Sequence, residues 1–232
     1  MKRLTAVIIL LILVLTSLVA VAGSESSAYP EKPIAYINIS FKCGCTRIGT
    51  GAMVCVDGLL TAGHNLICDD HSQPADQIDF YFGYISKNDY FYRYNGHFHY
   101  WYMDNFKKGY RSKYDIGYVR FDENIGEKTG WLGTRYAPDN EFNGKVCSIK
   151  AYSSDGTLTE YSAQISLDGK LQFSLNQKEL PYGGEGAPVC VYRNGKPFLV
   201  AVYNSHTKKN CLARRLTKDL FDEMKTRLTF NR

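Results

Sequence analysis

Residues 49–64 read GTGAMVCVDGLLTAGH, and this stretch decides the fold. A Gly-x-Gly strand leads into the pair Asp57 and Gly58, which suits a tight hairpin because both residue types tolerate positive φ angles. A second apolar strand follows and ends in Thr-Ala-Gly-His, with the imidazole at His64. A lone histidine is usually a surface or packed core residue, but a histidine in this motif at the end of a strand is a candidate catalytic residue.

Short apolar stretches alternate with turn signals along most of the chain, a pattern typical of strands. Asp-Gly and Asn-Gly pairs begin at positions 155, 168 and 194, and the clearest hairpin covers residues 189–203. About a dozen short strands without a long helical pattern predict sheets closed into barrels. The predicted strands include 34–41, 52–56, 77–84, 116–121, 146–152, 161–167 and 171–175.

One helix is predicted, at the C-terminal end of the chain. Thr217 can cap it, and one face carries Leu220, Phe221, Met224 and Leu228. Residues 80–102 are rich in aromatic side chains that alternate with polar ones, so we favour edge-strand packing over a sugar-stacking surface.

The first 23 residues form a unit of their own. Lys2 and Arg3 precede an apolar run over residues 4–22, which ends in Ala-Val-Ala, the small-x-small form of a cleavage site. The run is also long enough to be an uncleaved membrane anchor, but we favour a cleaved signal peptide. Both alternatives predict a secreted or extracytoplasmic protein, with the anchor as its sole link to a membrane.

The rest of the chain divides into a polar lead-in over residues 24–39 and one large domain over residues 40–232, with a split near 130–145. Without the two basic residues of the first segment, 26 basic and 23 acidic residues remain, a net charge of +3. This charge is too small and too dispersed to indicate nucleic-acid binding.

Seven cysteines follow the N-terminal segment, and an odd number leaves at least one thiol without an intramolecular partner. Export makes disulfides plausible, and we expect Cys55 to pair with Cys68 across the His64 segment. Cys43 and Cys45 suggest a metal site, but no second close pair is identified to complete it. The sequence therefore predicts no metal and no cofactor.

Two further segments follow the histidine in a meaningful order. Asp115 precedes an apolar strand and lies 51 residues after His64, and residues 124–133 read NIGEKTGWLG. Residues 181–189 read PYGGEGAPV, a glycine loop with Glu185 at its centre, 70 residues after Asp115.

Together these three segments resemble the chymotrypsin-type serine proteases, and especially their bacterial glutamyl-endopeptidase-like branch, over about residues 40–225. The resemblance implies an all-β fold of two six-stranded antiparallel Greek-key β-barrels with a short C-terminal α-helix. It also implies that His64 is the general base, that Asp115 orients it, and that the N–H groups of Gly183 and Glu185 form the oxyanion hole.

The departure from the family is at the nucleophile, because Glu185 occupies the position of the serine. A carboxylate is a poor nucleophile toward an amide, and glutamate is longer than serine, so its carboxylate reaches His64 or folds into the oxyanion hole. An ionised Glu185 also favours the imidazolium form of His64, which cannot accept a proton. The sequence therefore predicts a pseudoprotease.

The resemblance extends to residues 200–206, which match the strand that pairs with the substrate backbone. It implies substrate-binding roles for Tyr203 and Ser205, with Tyr203 at the position where the glutamyl-specific enzymes carry a histidine. His206 is expected in a loop, and Glu179 is expected near the floor of the specificity pocket.

Three functions remain open at this point. The leading hypothesis is a non-catalytic, exported homologue that binds polypeptide or cell-surface protein. The second is an active hydrolase that uses a water activated by Glu185, or Ser166, Ser174 or Ser205 as its nucleophile. The third is an adhesin-like or structural module, since a fold alone does not establish a function.

Overall fold

The computed structural model describes residues 31–106, 112–136 and 138–229. These residues form two sheets of seven strands each, with few and short helices. The predicted signal peptide or anchor over residues 1–23 lies outside the described residues. Among the described residues, no helix is both long enough and apolar enough to cross a membrane.

The first sheet is antiparallel and follows the order β5-β4-β1-β2-β3-β7-β6. Its strands are β1 (Ile34–Phe41), β2 (Thr46–Met53), β3 (Gly58–Thr61), β4 (Ala75–Ser86), β5 (Asp89–Tyr94), β6 (Phe98–Tyr102) and β7 (Gly117–Phe121). The aromatic-rich segment thus supplies β5 and β6 at the two edges of the sheet, as edge-strand packing predicts. Because β1 begins at Ile34, the sheet starts inside the segment that the sequence assigned to the lead-in, 24–39.

The second sheet follows the order β12-β9-β10-β11-β14-β13-β8, and pairing of β12 with β13 closes six of its strands into a barrel. Its strands are β8 (Gly133–Thr134), β9 (Val146–Tyr152), β10 (Leu158–Asp168), β11 (Gln172–Leu175), β12 (Pro188–Arg193), β13 (Lys196–His206) and β14 (Cys211–Arg215). The seventh strand, β8, is only two residues long and pairs in parallel with β13.

The predicted all-β class with two barrel sheets is confirmed, with one strand more per sheet than the six expected. Alternation explains why these segments form strands: in β10, buried Ala163 and Ile165 alternate with exposed residues. The predicted hairpin of β12 and β13 turns through Asn194 at φ 51° and Gly195 at φ 73°. Two successive positive φ angles are those of a type I′ turn, for which Asn-Gly is the preferred pair.

In the part of the chain that the structure describes, three α-helices accompany the sheets: α1 (Gly126–Thr129), α2 (Asp139–Phe142) and α3 (Lys218–Thr229). The N-terminus of the predicted helix α3 is capped by Thr217, whose Oγ1 accepts a hydrogen bond from the Leu220 N–H at 3.4 Å. Leu220 and Met224 are buried in a cluster that also contains Ala52 and Leu60 of the first sheet and Val202 of the second. The helix therefore covers the junction between the sheets. The side chain of Leu228 lies outside the described part.

The cysteines differ from the disulfide prediction, because all seven are free thiols. Cys55 Sγ lies 3.3 Å from Asp57 Oδ1 at the β2–β3 turn, whereas Cys68 Sγ lies 3.5 Å from His71 Nδ1. The expected Cys55–Cys68 bridge is wrong for this structure, since the two sulfurs face different groups. Burial raises the pKa of the Cys147 thiol to about 12, which makes it a weak nucleophile near neutral pH.

Thr50 of β2 joins the first barrel to the loop that carries Glu185. Its N–H donates to the Glu185 carbonyl at 2.9 Å, and its Oγ1 donates to the Gly183 carbonyl at 2.8 Å. The same Oγ1 accepts a hydrogen bond from the Tyr152 N–H of β9 at 3.0 Å. The Thr50 side chain is fully buried, so these bonds have no competition from water.

Replacing Thr50 by valine preserves the shape of the side chain but leaves the Gly183 carbonyl and the Tyr152 N–H without their partner. We expect a loss of about 2–4 kcal/mol in the free energy of unfolding, measured by chemical denaturation, because each orphaned buried group costs about 1–3 kcal/mol. The matched control is Thr46→Val at an exposed site of the same strand, with an expected change within about 0.5 kcal/mol. Equal effects of the two substitutions would contradict the assignment.

Candidate active site

His64 and Asp115 form a buried pair. His64 lies in a 3₁₀ turn directly after β3, and Asp115 lies just before β7, which pairs with β3. Asp115 Oδ2 lies 2.7 Å from His64 Nδ1, and Asp115 Oδ1 accepts the backbone N–H of His64 at 2.9 Å. Because a carboxylate only accepts hydrogen bonds, this geometry places a proton on Nδ1 and leaves Nε2 as the nitrogen that can act in the cleft.

Glycine is required at two positions in the loop that carries Glu185. Gly183 and Gly186 have φ angles of 103° and 96°. A Cβ on Gly186 would lie 1.9 Å from the carbonyl oxygen of Thr50, so the loop can approach β2 closely only with glycine there.

The backbone of this loop also bears on the predicted oxyanion hole. Its two carbonyls are engaged, because Asn65 Nδ2 donates to the Glu185 carbonyl at 3.0 Å and Thr50 donates to both the Gly183 and Glu185 carbonyls. Within the described residues, the N–H groups of Gly183 and Glu185 have no hydrogen-bond acceptor. Two backbone donors without an acceptor are what an oxyanion hole requires.

Both sheets contribute to one cleft of about 320 Å³. His64 and Glu185 line it together, so the structure brings the predicted base and the residue predicted at the nucleophile position to the same space. The lining residues are Arg47, His64, Asp69, Tyr182, Glu185, Asn204, Ser205 and His206.

Four of the lining residues were not singled out from the sequence: Arg47, Asp69, Tyr182 and Asn204. Arg47 donates to the His64 carbonyl at 2.9 Å and to Asp69 Oδ1 at 2.7 Å, and so ties the His64 turn to β2. Burial raises the pKa of the Asp69 carboxyl, but the hydrogen bond and charge of Arg47 outweigh it and lower the pKa below its usual value. Asn204 Nδ2 donates to the Asp115 carbonyl at 2.9 Å, which supports the Asp–His pair from the second sheet.

The predicted substrate-binding residues divide into two groups. Ser205 lines the cleft, and so does His206, which ends strand β13 and does not lie in the expected loop. Tyr203 is fully buried in the second barrel, and burial and the charge of Glu185 raise its pKa. Glu179 does not line the cleft: its exposed carboxylate lies 3.8 Å from His206 Nε2. The structure therefore does not place Glu179 at a pocket floor.

The alternative serine nucleophiles are not gathered around His64, except for one. Ser166 and Ser174 are cross-strand partners in the second barrel, on β10 and β11, and neither lines the cleft. Ser205 does line it, and its hydroxyl donates to Asn204 Oδ1 at 3.1 Å.

The sequence analysis identified no second pair of ligands for the Cys-Gly-Cys motif, but in the structure Cys68 and His71 lie next to it. Cys43, Cys45, Cys68 and His71 place their three sulfurs and one ring nitrogen within 4.8 Å of one another. The signal in the sequence was Cys68-x-x-His71, which lies directly after the His64 segment.

Asp115→Asn replaces one carboxylate oxygen by an NH₂ group, which cannot accept a hydrogen bond from His64. We expect a loss of about 1–3 kcal/mol in the free energy of unfolding and disappearance of the downfield NMR signal of the Nδ1 proton. Asp122→Asn is the matched control, since Asp122 forms an exposed pair with His97 at 2.8 Å. Its expected change is within about 0.5 kcal/mol. A control effect as large as that of Asp115→Asn would contradict the special role of the buried pair.

Comparisons with known proteins bear on the fold. No protein-family model matches the sequence, and no curated protein is significantly similar to it. Among solved structures, a Glu endopeptidase in complex with MPD is similar with a TM-score of 0.73 at 16% identity, covering 86% of this chain and 92% of that one. The thermostable serine protease AL20 from an extremophilic microorganism is similar with a TM-score of 0.74 at 13% identity, covering 87% of this chain and 99% of that one. The protease Anisep from Arthrobacter nicotinovorans is similar with a TM-score of 0.71 at 13% identity, covering 85% of this chain and 95% of that one. The chain has the fold of the chymotrypsin-like serine proteases.

Proposed function

We propose that this chain is an exported, non-catalytic homologue of the chymotrypsin-like proteases that binds polypeptide or cell-surface protein in its cleft. The observation that carries the proposal is Glu185, which stands at the nucleophile position and lines the same cleft as His64. The buried His64–Asp115 pair beside it is intact. Export rests on the apolar run over residues 4–22.

The chemistry of Glu185 opposes catalysis in two ways. Its carboxylate is a poor nucleophile toward an amide, and the anhydride that attack would form reverts easily. Its side chain is two heavy atoms longer than serine, so it fills space that a substrate carbonyl needs beside His64.

The edge of β13 supports polypeptide binding. In the described residues β13 pairs with β12 only as far as Val202, whereas β14 continues to pair with it through His206 on the other side. Ser205 and His206 also line the cleft, so an extended polypeptide can add to this edge through backbone hydrogen bonds.

The cleft offers little selection among the side chains of a bound polypeptide. Glu179 stays outside the cleft and Tyr203 is buried in the barrel core, so neither residue offers a pocket for a substrate side chain. We therefore propose that the cleft recognises backbone more than one class of side chain.

Glu185→Ser tests whether the substitution alone accounts for inactivity. We expect the variant to hydrolyse an unfolded protein substrate at least ~100-fold faster than the wild type, because a nucleophile contributes up to ~10⁶ in kcat. It should also become labelled by a fluorophosphonate probe. The double variant Glu185→Ser with His64→Ala is the control and should show neither gain.

If the Glu185→Ser protein folds but remains inactive, the result contradicts the proposal that Glu185 alone prevents catalysis. Glu185→Gln distinguishes the competing hydrolase hypothesis, in which the carboxylate activates a water. Wild-type hydrolysis that is abolished in Glu185→Gln would overturn the proposed function.

A further inference from the structure

Three thiols and one imidazole meet on the first barrel, at residues that do not line the cleft. Cys43 and Cys45 are half-buried on the turn between β1 and β2, and Cys68 is buried in the segment after the His64 turn. His71 completes the group from an exposed position three residues after Cys68. All four ligand atoms lie within 4.8 Å of one another, and the sulfurs are unbonded thiols.

Two of the six separations among the ligand atoms match a tetrahedral metal site. Zn²⁺ binds sulfur at about 2.3 Å and imidazole nitrogen at about 2.0–2.1 Å, which puts the sulfur and nitrogen about 3.5 Å apart in a tetrahedron. The Sγ atoms of Cys45 and Cys68 lie 3.6 and 3.5 Å from His71 Nδ1. These two separations need almost no adjustment to accept the ion.

The backbone holds both ligand-bearing segments in tight turns. In the first, the Phe41 N–H donates to the Cys45 carbonyl at 2.9 Å, and Gly44 adopts a positive φ of 85°. In the second, the Cys68 N–H donates to the Gln73 carbonyl at 2.8 Å, and Ser72 adopts an unusual φ of 52°. The four ligands are therefore placed by hydrogen-bonded turns before any metal binds.

We infer that Cys43, Cys45, Cys68 and His71 bind one Zn²⁺ as a structural Cys₃His site. Three thiolates and a neutral imidazole fill all four positions of zinc, so the site leaves no open position for a substrate. Soft thiolate ligands also disfavour Mg²⁺ and Ca²⁺, which prefer oxygen. The complex carries one net negative charge, and the basic residue Arg47 lies two residues after Cys45.

The zinc joins the β1–β2 turn to the segment that follows His64. Cys68 lies four residues after His64, and Arg47, two residues after Cys45, donates to the His64 carbonyl. Zinc and Arg47 thus connect the same two segments at neighbouring points, the chain around the β1–β2 turn and the chain around the His64 turn. In this arrangement the four ligands are positioning residues for the His64 turn.

The test measures metal in the full exported chain, purified under reducing conditions, loaded with ZnCl₂ and dialysed. We expect about one zinc per chain by elemental analysis, and Co²⁺ in its place should give the visible bands of a tetrahedral thiolate complex. Removing the zinc with a chelator should lower the unfolding temperature by at least about 5 °C, since structural zinc contributes directly to folding.

Two variants and two controls make the assignment specific. Cys68→Ser and His71→Ala should lose the bound zinc and the thermal shift; the exposed His71 provides a variant that should fold even if Cys68→Ser does not. Cys55→Ser and His97→Ala change a thiol and an imidazole outside the cluster and should keep both.

Dialysed protein without zinc would overturn the inference. So would an intact mass that shows a disulfide between Cys68 and either Cys43 or Cys45 in protein purified without reductant, together with no thermal shift on adding zinc. Equal zinc loss in His97→Ala would contradict the assignment of the zinc to the three cysteines and His71.

Discussion

The arrangement of the cleft depends on one contact, the hydrogen bonds between Thr50 of the first barrel and the glycine loop of the second. Through these bonds the Gly183 and Glu185 carbonyls are fixed against β2. Gly186 makes the close approach sterically feasible. Since His64 follows β3, the neighbour of β2, the same contact brings His64 and Glu185 to one cleft. The proposed function requires this assembly, because it places Glu185 beside His64 in the cleft.

The sequence predicted the parts of the site that local signals mark. His64, Asp115 and the loop around Glu185 each stand at a strand end or among glycines, where turn chemistry and spacing are visible along the chain. The short strands between them predict barrels, and the resemblance to the chymotrypsin-type proteases implies that there are two. Arg47, Asp69 and Asn204 carry no such signal, because their roles arise from contacts 17 to 89 residues apart in sequence.

Two misplaced residues show why alignment of a motif does not settle side-chain positions. Tyr203 was expected to face a substrate, but it packs with Ala187 and Cys211 in the core of the second barrel. Glu179 was expected near a pocket floor, but its carboxylate is exposed beside His206. In both cases the fate of the side chain depends on packing around the strand, which the linear spacing does not encode. The cysteines are a similar case, because Cys68 and His71 lie on another segment and become neighbours of Cys43 and Cys45 only when β1 and β4 pair.

The central claim is that the cleft binds polypeptide without cutting it. The most direct measurement follows a set of unfolded polypeptides incubated with the wild-type protein, using fluorescence anisotropy for binding and mass spectrometry for new chain termini. We predict saturable binding and no new termini, with weaker binding when the β13 edge is altered by Ser205→Pro. New termini that appear with the wild type and vanish with His64→Ala would contradict the account.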